Sequence, residues 1–163
     1  MIKLPTDPIR DEHRQLEPHL HHIERSAALV TEWDLARVRR SLPQLVGFLR
    51  DDLVPHAQTE EDILYPEIDR ITRAATTATM IVDHVVIGER IDALASAVEA
   101  ALDDWDAPGV AADISRQLAA LAAITRLHFR KEEEVLLPIL DFNLTVEEGH
   151  ALFEHMGHTA HAH

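Results

Sequence analysis

Apolar residues recur at spacings of three and four along four long stretches of the chain, the period of a helix with one buried face. The first stretch carries Ile9, Leu16, Leu20, Ile23, Ala27 and Val30 behind the start signal Thr6-Asp7-Pro8. The second opens near Asp34 and runs Leu35, Val38, Leu42, Leu45, Leu49 and Leu53, then Ile63 and Leu64, with Pro43 and Pro55 as expected kinks. A third begins in Thr76-Thr77-Ala78-Thr79 and carries Met80, Ile87, Ile91, Leu94, Val98 and Leu102. The fourth follows Asp106-Ala107-Pro108-Gly109 with Ile114, Leu118, Leu121, Ile124, Val135 and Ile139. Turn signals at 31–34, 70–76 and 105–109 leave only short connections, so consecutive helices are expected to be antiparallel neighbours. A short fifth segment starts at Thr145, where Thr-Val-Glu-Glu has the form of a capping box, and runs to Gly157. The pattern predicts an all-α fold: an up-down-up-down four-helix bundle over residues 1–156 with the short C-terminal helix across one end, then a histidine-rich tail over 157–163.

Polar residues break into these apolar faces at six places: His13, His56, Glu60, His84, His128 and Glu132. They belong to an internal repeat. HAQTEEDILYPEID (56–69) set beneath HFRKEEEVLLPILD (128–141) matches at His, at Glu-Glu four and five residues on, at Leu, at Pro and at Asp, six coincidences in fourteen. EHRQLEPHL (12–20) set beneath DHVVIGERI (83–91) is a weaker match, an acid before each His and an aliphatic residue three and seven places later. The order weak, strong, weak, strong is that of two helical hairpins related by a pseudo-twofold axis. Residues four apart lie about 40° from one line, so each His of the strong motif shares its direction with the first Glu, while Glu61 and Glu133 are turned aside. From each of the four histidines to its turn is about 20 residues, or about 30 Å of helix, which sets all four at one height.

Composition narrows the chemistry. The chain has 163 residues, enough for one domain with a sizeable core, and 15 Lys and Arg against 29 Asp and Glu for a net charge of −14. That charge opposes nucleic-acid and anionic-membrane binding. With no cysteine, iron–sulfur clusters, thiolate zinc sites and thiol catalysis are excluded, and four buried imidazoles with two carboxylates call instead for hydrogen-bonded water or a metal. Such nitrogen and oxygen ligands suit iron, zinc, copper, nickel or manganese. The opening MIKLPTDPIRDEHR has no apolar leader pattern and no run of 18 apolar residues follows, which makes cytoplasmic location the expectation.

Asp11-Glu12-His13-Arg14, Pro55-His56 through Leu64-Tyr65-Pro66, Met80 through Asp83-His84, and His128 through Leu137-Pro138 together resemble the hemerythrin-like, or HHE cation-binding, family over residues 8–156. The resemblance implies a four-helix bundle holding a non-haem diiron centre, two iron ions bridged by carboxylates and by oxo, hydroxo or water. Its ligands would be His13, His56, Glu60, His84, His128 and Glu132, and its partner dioxygen, nitric oxide or peroxide. Oxygen-carrying hemerythrins have a fifth histidine one turn before the one matching His84, and here that residue is Met80. The loss points away from oxygen transport toward oxidative or nitrosative stress, with catalase- or peroxidase-like turnover and iron sensing as alternatives. Candidates to fill the vacancy are solvent, Glu17 and Glu133.

Outside the six, Glu61 and Glu133 are expected to be solvated or to support a ligand from outside, and Glu12 and Asp83 either to accept a ligand histidine's second N–H or to lie at the surface. His19, His21 and His22 read as a wet helix face, and His150, His155, His158, His161 and His163 as a solvated tail. Tyr65 is a candidate radical site or proton donor near the metals, but nine residues after His56 it is half a turn out of phase on an α-helix, so packing is its expected role.

Overall fold

The computed structural model describes residues 3–160, with side chains up to Met156, and is all-helical over that span: five helices and no strand among the described residues. α1 is Asp7–Leu29, followed by a 3₁₀ turn at Val30–Glu32. α2 is one unbroken helical run over 35–72, α3 is Ala78–Asp103, α4 runs over 110–143, and α5 is Val146–Ala160. Asp34 starts α2 by accepting a hydrogen bond from the Arg37 amide at 2.8 Å. Gly109 opens α4 at a φ of 88°, a left-handed turn that suits glycine. α5 continues past the expected stop at Gly157 to Ala160. The expected tail over 157–163 lies outside the residues with described side chains.

Contacts fix how the helices run. Along α1 and α4, Ala27 meets Ser115, Glu24 meets Arg126, His13 meets Glu133 and Thr6 meets Asp141, so the two are antiparallel. α2 and α3 are antiparallel in the same way, through Arg50 with Asp92, Glu61 with His84 and Asp69 with Thr77. α3 also packs along α4. α5 brings Phe153 and Met156 onto the apolar cluster formed by Ile9, Leu64, Ile68 and Met80. It approaches the chain's start so closely that a Cβ at Gly149 would strike Pro5.

Two apolar cores result, a large one from Leu20 and Ile23 through Leu94 and Leu118 and a smaller one around Ile9, Tyr65 and Met80. The six polar residues singled out by the repeat lie at the level between them, so each of the first four helices crosses from one core to the other through a polar layer.

Three stretches of wide, π-helical turn occur, at Leu49–Leu53, Glu60–Leu64 and Glu132–Leu136. Each ends two residues before a proline: Pro55, Pro66 or Pro138. A proline ring clashes with the carbonyl four residues earlier and offers it no N–H, and widening the turn relieves both without breaking the helix. Pro55 thus coincides with a local widening of the turn, while Pro43 sits inside regular α-helix.

The aspartates that close the repeated motif cap the starts of other helices, Asp141 that of α1 and Asp69 that of α3. Asp141 accepts from the Thr6 amide and hydroxyl at 3.2 and 2.7 Å, and Asp69 does the same for Thr77 at 3.0 and 3.2 Å. A cap of this kind contributes about 1 kcal/mol. Asp141, which also holds Arg10, is expected on replacement by Ala to lose about 1–2 kcal/mol, seen by calorimetry as a Tm lower by about 4 °C. An unchanged Tm would mean that water caps α1 equally well.

Candidate metal centre

Four imidazoles converge between the two cores with their Nε2 atoms inward. His56 Nε2 is 2.8 Å from Glu60 Oε1 and His13 Nε2 is 3.4 Å from the same oxygen. Across the layer His84 Nε2 and His128 Nε2 stand 2.8 Å apart, with Glu60 Oε2 3.4 Å from His84 and Glu132 Oε1 3.5 Å from His128. Glu132 Oε2 reaches back to within 3.4 Å of His13 Nε2. Both carboxylates are fully buried and each faces imidazoles from both hairpins. The cluster divides into two overlapping groups able to hold a cation, His13 with His56 and Glu60, and His84 with His128, Glu60 and Glu132. All six residues picked out by the repeat are therefore brought together, and Glu60 belongs to both groups.

The outer nitrogens follow one rule. Each Nδ1 faces a carboxylate: His13 faces Glu133 at 2.7 Å, His84 faces Glu61 at 2.8 Å, His56 faces Glu12 at 3.4 Å and His128 faces Asp83 at 3.3 Å. A carboxylate on Nδ1 fixes the ring and leaves Nε2 to face inward. Glu12 and Asp83 serve not the histidine beside them in sequence but the one on the next helix. Glu61 and Glu133 cross to the other hairpin. Two of these acids are tied further out, Glu133 to Arg10 and Asp83 to Lys131.

The charges can be assigned from these contacts. Burial opposes a proton on His13 and on His56, but the facing carboxylates outweigh it and raise them to about 9 and about 10. Glu60, despite its burial, is held well below the usual carboxylate range by those two cations. Burial and the charge of Glu60 push Glu132 up to about 8. Burial and the neighbouring His84 hold His128 down to about 4, while Glu60 and Glu61 raise His84 in spite of burial. Without metal the layer is thus a proton-sharing network in which Glu60 is the fixed anion.

The donors fit a metal centre better than they fit one another. Glu60 Oε2, Glu132 Oε2 and His56 Nε2 are buried, and although each stands 2.8–3.4 Å from an ionic partner, none of these contacts is aligned as a hydrogen bond. Unpaired polar atoms in a closed layer are costly, and cations bound by nitrogen and carboxylate oxygen would satisfy all three.

Tyr65 corrects the sequence reading. Its hydroxyl donates to Glu132 Oε1 at 2.6 Å and lies 3.3 and 3.4 Å from His84 Nε2 and His128 Nε2. The wide turn at Glu60–Leu64 inserts a residue between His56 and Tyr65 and returns the ring by about 100° to the centre. Burial and the two carboxylates push its hydroxyl far up, so it stays protonated and donates. The equivalent position in the second hairpin is Leu137, which makes the centre asymmetric. Met80 is buried against the smaller core, and neither acid proposed for its vacancy fills it: Glu17 holds Arg126, and Glu133 sits on the outer face of His13. His19 stacks on Phe48, and His21 lies between Glu17 and Glu24 at the surface. His150 is half-buried on α5 rather than part of a wet tail. His161 and His163, and the side chain of His158, lie outside the described residues.

Four histidines and two glutamates in one buried layer of an all-helical domain define a protein of the metal-binding helical class. The chain belongs to the hemerythrin HHE cation-binding domain family, whose profile matches residues 4–140 and, in a second match, residues 80–163. The second match begins within α3, where the repeat restarts. No curated protein and no solved structure matches the chain. No helix of the described residues is long and apolar enough to cross a membrane.

Proposed function

We propose that this is a non-haem diiron protein of the hemerythrin-like family that binds dioxygen, nitric oxide or peroxide in oxidative or nitrosative stress, in the cytoplasm, and not an oxygen carrier. The observation that carries the reading is the asymmetry of the polar layer: both groups have two imidazoles, and only one faces a tyrosine hydroxyl. His13, His56 and Glu60 would hold one iron, and His84, His128 and Glu132 the other, with Glu60 and Glu132 shared between them. Iron so bound supplies redox chemistry toward small oxygen and nitrogen species. The protein's own part is to keep four rings in fixed orientation through their Nδ1 contacts and to exclude bulk water between two apolar cores. Tyr65 holds a proton against Glu132 Oε1. The helix contacts support an up-down-up-down bundle with α5 across one end.

A second reading, catalase- or peroxidase-like turnover, is favoured by Tyr65 alone, a buried donor beside the donor atoms of one group. Elemental analysis of untagged protein from aerobic cells is expected to find about two irons per chain. Zinc alone, or no metal, would end the diiron reading. Oxygen release from added peroxide above that of free iron would then favour the enzyme, and its loss in Tyr65→Phe with iron retained would assign the proton to Tyr65.

A further inference from the structure

The internal repeat sets two flanks of the polar layer against each other, one between α1 and α4 beside His13 and one between α2 and α3 beside His84. The first flank is closed. Phe129 stacks on the His13 ring at 4.6 Å between centroids and stands 5.9 Å from the ring of His56. Around it Arg10, Arg14, Arg126 and Arg130 are all tied to carboxylates, Arg10 to Glu133 and Asp141 and Arg126 to Glu17 and Glu24. The cavity of about 460 Å³ on this side is walled by those ion pairs.

The second flank has a smaller or uncharged residue at each matching position. Phe129 aligns with Ala57, Glu17 with Gly88, Arg14 with Val85 and Arg130 with Gln58. A cavity of about 230 Å³ remains there against His84, with Leu53 and Ile87 buried in its floor and Val54 and Val85 exposed at its rim. Its other polar side chains are already engaged: Gln58 donates to Asp62 at 3.1 Å, and Glu61 faces His84 Nδ1 at 2.8 Å. Packing does not require Gly88 to lack a side chain, since a Cβ there would meet nothing within 4 Å, and glycine is unfavourable inside a helix. Tyr65 stacks on His84 from the smaller core, at 5.4 Å, and among the described residues no aromatic ring but that of His84 lines the cavity.

We infer that the cavity between α2 and α3 is an antechamber through which an uncharged diatomic gas, dioxygen or nitric oxide, reaches the His84 and His128 side of the polar layer, with Ala57 and Gly88 holding it open. Its volume is several times the roughly 30 Å³ share of one water and below the roughly 300 Å³ at which drug-sized sites begin. The lining decides the chemical class. With Gln58 and Glu61 paired, the walls leave peroxide without hydrogen-bond partners, and the Glu61 carboxylate, in a chain of net charge −14, repels an anion. The destination of the gas rests on the metal reading, whereas the cavity and its affinity for an apolar gas do not.

The test begins with xenon, an apolar gas probe, under pressure on the full chain with and without iron. Xenon is expected to shift the amides of Ala57, Val85 and Gly88 and not those of Leu20 and Phe129, and to lose this effect in Ala57→Phe, which copies the ring that closes the other flank. Gly88→Leu fills the same space from α3 and keeps the test open if Ala57→Phe does not fold. In iron-loaded protein both variants should slow the association of nitric oxide and of dioxygen about tenfold at unchanged iron content, while Arg130→Gln on the opposite flank leaves it unaltered. The reaction with peroxide should not slow with them. Absence of the xenon shifts, equal shifts on both flanks, gas association at the unaltered rate in the folded variants, or an equal slowing of peroxide would each overturn the inference. Iron content of the same samples tests the metal reading separately: xenon binding without iron keeps the cavity and rejects its destination, whereas iron without xenon binding rejects the cavity alone.

Discussion

Protein carrying both His56→Ala and His128→Ala is expected to fold and to retain less than about a tenth of the iron of the unaltered chain, because each substitution removes a nitrogen from a different group and leaves the other ligands too few to compete with water. His56 is the closest imidazole to Glu60, at 2.8 Å, and His128 the closest to His84, also at 2.8 Å. Their loss therefore empties both groups while leaving the apolar cores above and below intact. Far-UV circular dichroism checks the fold and elemental analysis the metal. A variant that kept two irons would refute the ligand set, whatever its activity.

Glu60→Gln is expected to destabilise the metal-free protein by about 3–5 kcal/mol, the cost of leaving buried cations without their anion. Glu60 is fully buried and faces His13, His56 and His84; at neutral pH it keeps the proton on His56, and together with Glu133 it keeps the proton on His13. Glu132→Gln should cost far less. Glu132 is raised to about 8, so at neutral pH it is already largely the neutral acid whose shape Gln imitates. Urea unfolding of the two metal-free variants at pH 7 measures the difference directly. Equal losses would show that the two carboxylates share the negative charge rather than Glu60 holding it. With metal bound both substitutions remove a ligand, so the contrast belongs to the metal-free state.

The six residues of the layer were legible in the sequence because a four-residue spacing keeps its direction on any α-helix, and because the second hairpin repeats the first. Tyr65 was not, since its phase depends on a widened turn that periodicity does not count. The prolines were the available signal: each wide turn ends two residues before one, yet Pro18 and Pro43 show that a proline inside a helix does not by itself produce it. Glu12 and Asp83 were recognised as candidates, but their choice of the histidine on the next helix is a matter of packing and cannot be counted along one strip.

The crossing of Glu61 to His84 and of Glu133 to His13 also bears on the order in which the molecule is made. His13 waits for a partner 120 residues downstream, and Thr6 for a cap 135 residues downstream. Contacts so far apart in the chain close late, after local helices have formed and their loop entropy has been met. A ribosome that has released only the first hairpin has therefore delivered His56 together with its Glu12 partner, but His13 without the carboxylate that orients its ring. The polar layer is complete only when the two ends of the chain meet.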